Sequence, residues 1–149
     1  MAAMAAQSNE DLGKLILRVT VGGLIMFHGV ALATGDAGIP NRLAAWGFPE
    51  QLMWLGFIAE FFGGLGMVLG VYARLGGFLV GTFMVIAIIM SHIGLMNSQN
   101  HLFMVANNPA GNHWDHYFLE TQAFYLFGAY AVFFLGAGKL GLNKGGAWN

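Results

Sequence analysis

The sequence predicts an all-α integral membrane protein: an antiparallel bundle of four transmembrane helices with the N- and C-termini both cytoplasmic. Three observations lead there. Hydrophobic residues make up 57% of the 149 and charged residues only 9%, against about 25% charged in an ordinary soluble domain. Four apolar stretches, at residues 15–33, 52–72, 75–96 and 117–136, approach the ~20 residues that a spanning helix needs. Basic residues gather on one side of those stretches. With 6 Lys and Arg and 7 Asp and Glu, a soluble chain of this size could not build a polar coat, so the lipid bilayer is its solvent.

The first stretch opens beside Lys14 and Arg18 and closes on Ala31-Leu32-Ala33. A basic start, an apolar run and small residues also describe a cleavable secretory leader. The run fits a first span, and a retained helix is the expectation. The connector that follows holds Pro40 and Pro49, which break helices and favour turns. The second stretch contains "AEFFGGLG" and passes to the third through "YARLGG", a tight connection. A longer connector with Pro109 precedes the fourth. Lys14, Arg18, Arg74, Lys139 and Lys144 all fall on one side of the layer and only Arg42 on the other. Basic residues favour the cytoplasmic face, so the loops at residues 34–51 and 97–116 face outward. Gly66-x-x-x-Gly70 and Gly77-x-x-x-Gly81 have the spacing of close helix packing. The whole chain, residues 1–149, reads as a single membrane domain.

Composition also excludes functions. A net charge of −1 with no basic run offers nothing to nucleic acid. Without cysteine, disulfides, thiolate metal ligands and dithiol redox catalysis are excluded.

Chemistry concentrates on a few ionisable residues inside the spans. His28, Glu60, His92 and Glu120 supply one to each stretch, all in the outer half of the layer. Counted from the span ends, His28 lies roughly 7 Å deep, His92 roughly 6 Å, Glu120 about one turn and Glu60 roughly 12 Å. A carboxylate near the bilayer centre costs at least ~2.5 kcal/mol, so it faces the interior and takes a partner. At that depth the partners on offer are the two histidines. Imidazole and carboxylate suit proton transfer near neutral pH and equally suit borderline divalent metals. The octet "HWDHYFLE" places His113, His116 and Glu120 on one helical face, an entrance from the outer surface. His101 lies in the same outer loop. Taken singly, a span histidine can simply bond a backbone carbonyl, and a shallow Glu120 can be hydrated. It is the one-per-helix placement that favours a joint site.

These residues sit in a pattern that resembles the DoxX family of small four-helix bacterial membrane proteins, over residues 17–143. "LRVTVGGLIMFHG" looks like the family's Leu-Arg start and His-Gly end of span one, and "IPNRLAAWGFP" like its first outer loop. "AEFFGGLGMVLGVYAR" is the most specific piece, with Glu60, Gly63, Gly64, Gly70 and Arg74 in the family's places. "GAGKLGLN" resembles the glycine-rich tail. Departures are Leu32 where the family often has Lys, Gly141-Leu142-Asn143 where a Ser-x-Asp is usual, and a longer, His-rich loop at residues 97–116. The resemblance implies a multi-pass protein of the bacterial inner membrane, associated with membrane redox systems and other membrane subunits.

Three functional expectations follow. The first is a subunit of a quinone-linked oxidoreductase, in which His28 or His92 binds the quinone head group and Glu60 and Glu120 handle protons. The second is a divalent-metal site built from His28, Glu60, His92 and Glu120, with His101, His113 and His116 as outer capture ligands. Haem held between His28 and His92 is a lesser variant, since two carboxylates are unusual company for it. The third is a structural or assembly subunit whose polar network only fixes helix register.

Overall fold

A computed structural model describes residues 2–35, 43–44, 47–97, 118–143 and 146–149, with side chains described for 9–35, 43–44, 47–90, 121–143 and 146–149. The regular structure among them is helical, with no strand. We label the helices α1 (Ala2–Thr34), α2 (Leu52–Leu69), α3 (Ala73–Asn97) and α4 (Phe118–Leu135). Three segments among the described residues are long and apolar enough to cross a membrane: Asn9–Thr34, Leu52–Leu69 and Ala73–Met90. A shorter apolar helix runs over Thr121–Leu135.

Two boundaries differ from the sequence expectation. α1 begins at Ala2 instead of residue 15, because the residues ahead of the apolar run are mostly Ala, Met, Gln, Glu and Lys, all good helix formers. α2 stops at Leu69 instead of residue 72. Gly70 takes a left-handed conformation there (φ 66°), which only glycine adopts without steric cost. The Val71 amide then donates to Gly66 O and the Gly70 amide to Met67 O, the paired bonds of a Schellman cap.

α1 packs against α2 and α4, and α3 against α2 and α4. The inward seam of α1 is Arg18, Val21, Ile25, His28 and Leu32, alternating steps of three and four residues. All of these are buried except the half-buried His28. Glycines let the backbones touch. A Cβ on Gly22 would stand 2.7 Å from Gly64 O, and one on Gly77 would stand 2.5 Å from Ala129 O. Such small-residue contacts are how helices associate where no hydrophobic drive separates protein from lipid. The core between the helices is Val21, Ile25, Met67, Ala73, Val80, Met84, Ala129 and Val132.

The polarity of this packing is inverted. Phe27, Phe127 and Phe134 are among many large apolar side chains on the exterior, while Arg18, Glu60 and Gln122 are buried. Water would penalise that arrangement and hydrocarbon favours it.

One end of the helices is closed by polar bonds. Arg18 Nη1 donates to Met67 O (3.0 Å) and Val68 O (2.6 Å), and Nη2 donates to Leu140 O (2.6 Å). The tail beyond α4 completes the closure. Leu142 N donates to Leu69 O and Asn143 N to Gly70 O, while Arg74 N donates to Trp148 O and Arg74 Nε to Asn149 O. Every carbonyl from Gly66 to Gly70 thus has a donor. Helix-end carbonyls left bare in lipid would each cost several kcal/mol.

Candidate functional site

The opposite end of the same seam carries a second polar centre. His28 Nδ1 lies 2.8 Å from Glu60 Oε2, a short hydrogen bond between α1 and α2. The Glu60 carboxyl is sealed at 1% exposure, while the His28 side chain keeps 39%. With Nδ1 turned to the buried carboxyl, Nε2 is the ring nitrogen left for a further partner.

Local structure produces this contact from both sides. Glu60 lies in the middle of a π turn, Ile58–Phe62, inserted between the α-helical segments Leu52–Phe57 and Gly63–Leu69. A π turn widens the helix and re-aims the residues it contains, and such turns gather at functional sites. The aromatic residues around it brace the widened turn: Phe57 stacks on Phe61 at 5.4 Å, and Phe62 meets both rings edge-on. On α1 the residue after His28 is Gly29. A Cβ there would stand 2.9 Å from Phe61 N and 3.2 Å from Glu60 Cβ, so any larger residue would hold α1 away from the turn. The His-Gly pair works as a unit in which one residue bonds the carboxyl and the next lets it come near.

On α4, the half-buried Tyr125 packs against the core and lies within electrostatic range of Glu60. Gln122, one turn further out, is buried. Neither was singled out by the sequence reading, although both are polar residues in the outer half of an apolar span, the same signal that identified Glu60. Arg18 was counted only as a topological charge. Its place on the three-four seam with Val21 and Ile25 is the signal that reveals it as an interior residue.

Of the residues expected to converge, His28 and Glu60 are brought together. His92 lies on α3, five residues before its end at Asn97, and Glu120 lies in the first turn of α4. The side chains of both lie outside the described residues, as do His101, His113 and His116 entirely. Among the described side chains, no three His, Asp or Glu gather as a metal ion would require.

What the pair can do follows from the proton held between its members. With that proton on Glu60, the carboxyl donates to Nδ1 and Nε2–H is a donor. If Nε2 gives its own proton away while the Glu60 proton crosses to Nδ1, the carboxylate accepts and Nε2 offers a lone pair. The nitrogen facing away from Glu60 therefore changes from donor to acceptor only as a proton leaves it.

The family model of DoxX matches residues 13–93, a stretch that includes Arg18, His28, Glu60 and His92. Over 98 residues the chain is 28% identical to the inner membrane protein YqjF of Escherichia coli (strain K12), a match covering 66% of this chain and 75% of that protein. No solved structure matches.

Proposed function

Because the chain belongs to the DoxX family and is a multi-pass protein of the bacterial inner membrane, we propose that it is a small subunit of a quinone-linked membrane redox complex. Its working part is the His28–Glu60 pair in the outer half of the bilayer. In this reading α4 is a fourth span, packed on α1 and α3, and both termini are cytoplasmic, the orientation that the placement of the basic residues favours. His28 then lies six residues inside the outer end of α1, roughly 9 Å deep.

The observation that carries the reading is a sealed carboxyl held 2.8 Å from a half-exposed imidazole. A quinone carbonyl is an acceptor, and Nε2–H is the donor presented to it. With electrons supplied by a partner subunit, reduction would make that carbonyl oxygen more basic. Nε2 would then give up its proton, Nδ1 would take the Glu60 proton, and Glu60 would be left ionised, to be reprotonated from the outer side. That is general acid catalysis through a relay. Glu120 is the next group outward on the proton route, and His92, His113 and His116 extend it toward the outer surface, with His101 in the same loop. Tyr125 offers a hydroxyl near the carboxyl.

Purification in native lipid, followed by quinone extraction, elemental analysis and an absorption spectrum, tests the assignment. We expect about one quinone per chain, the occupancy of a single preformed site. Stoichiometric divalent metal with no quinone would replace this reading by the metal site of His28, Glu60, His92 and Glu120. Absence of both would leave a structural subunit.

A further inference from the structure

The Arg18 guanidinium and the chain beyond α4 form one closure, and its geometry extends to the site. α1 touches α2 at two polar points ten residues apart on one seam, roughly 15 Å along the axis. Arg18 grips Met67 O and Val68 O at one point. His28 bonds Glu60 at the other. Along the seam the helices approach backbone to backbone at Gly22 against Gly64 and at Gly29 against Phe61, with Ile25 and Met26 packed on Gly64. α1 is therefore closely seated on α2. A slip of one residue, about 1.5 Å, would lengthen and misalign a 2.8 Å hydrogen bond, and such bonds weaken steeply off line.

The tail sets where Arg18 stands. Leu140 O in the tail accepts from Nη2, and Leu142 N and Asn143 N fasten the same stretch to Leu69 O and Gly70 O. Asp11 on α1 accepts from Lys139 N, so the tail is tied to α1 as well. Gly141 lies against Gly70, where a Cβ on Gly70 would stand 2.6 Å from Gly141 Cα and 2.8 Å from Arg18 Nη1. Guanidinium, helix end and tail fit only in this register. The guanidinium also complements the negative end of the α2 dipole.

We infer that Arg18 and the tail at residues 137–143 act as a positioning latch. By fixing the axial register of α1 on α2, they place His28 against Glu60 from the far side of the membrane. Arg18 is thus a positioning residue for the outer site. The inference rests on the His28–Glu60 contact and not on what that contact binds.

The test is the side-chain nitrogen NMR signature of His28, recorded on full-length protein in lipid nanodiscs and assigned with His28→Gln. Glu60→Gln supplies the reference for a broken pair. Arg18→Lys, which keeps the charge but cannot span three carbonyls, and Gly141→Val, which unseats the tail without altering any helix, should both shift His28 toward the Glu60→Gln signature while helix content stays at wild type. Arg18→Met should shift it further than Arg18→Lys. Should Arg18→Lys fail to insert, Gly141→Val carries the test alone. A wild-type His28 signature in a folded Gly141→Val protein would overturn the latch. Loss of quinone binding with a normal latch response would instead contradict the proposed function and leave this inference standing.

Discussion

The two ends of the α1 seam each hold one polar side chain against α2, and they are built to opposite specifications. At the end closed by the tail, the inner end in the proposed orientation, Arg18 is 1% exposed and bonds three main-chain carbonyls. Those partners cannot titrate or leave, so the group is fixed in place. At the outer end Glu60 is equally buried, but its partner is an imidazole with 39% of its surface open. Both members of that pair can change protonation, and one of them reaches outward. Burial alone therefore does not mark function. What separates a strut from a site is whether the buried group's partner has capacity left over.

That contrast is broken most severely at the inner end. Arg18→Met leaves Val68 O and Leu140 O without the donors they have here and takes one of two from Met67 O. At about 1–3 kcal/mol for each unsatisfied group, several kcal/mol of stability should go. Unfolding in mixed micelles would register it as a large fall in midpoint, and a change below about 1 kcal/mol, the worth of one ordinary hydrogen bond, would contradict the strut assignment.

The outer end should respond weakly in the same assay. Glu60→Leu removes a buried ionisable group and fills the space with apolar atoms, a replacement that is often neutral or stabilising. The expected change is within about 1.5 kcal/mol of zero, the scale of one hydrogen bond to a neutral group. A collapse comparable to Arg18→Met would mean that the outer pair, too, is a strut.

The sequence made the outer end easier to see than the inner one. Glu60 stands out because a carboxylate within an apolar run has no local partner, and His28 follows as a residue of complementary chemistry at similar depth. Depth and helix count can be read from one dimension. The π turn could not be foreseen, since "IAEFF" has the apolar pattern of an ordinary helix and the extra residue is accommodated by Gly29 across the interface and by the phenyl stack within α2. The latch was equally hidden. Arg18 and Leu140 are 122 residues apart, and the tail bonds through its main chain, which leaves little trace in side-chain pattern. The Gly66-x-x-x-Gly70 spacing misled for a related reason. A packing stripe and a helix cap can share that interval, and only the positive φ at Gly70 assigns it to the cap. Gly77 and Gly81 do pack against α4, on Ala129 and Tyr130, within one chain.

The central claim is that Glu60 matters for the proton it exchanges with His28. The most direct measurement is quinone bound per chain for wild type, Glu60→Gln, His28→Ala and the double variant, each with its unfolding midpoint. Gln keeps the size and most of the hydrogen bonding of Glu but cannot ionise. We expect each single change to lower occupancy at least tenfold, a loss of about 1.4 kcal/mol in binding, with the midpoint of Glu60→Gln unchanged. The double variant should be little worse than either single one, because both remove one unit. Full occupancy in Glu60→Gln, or fully additive losses in the double variant, would contradict the claim.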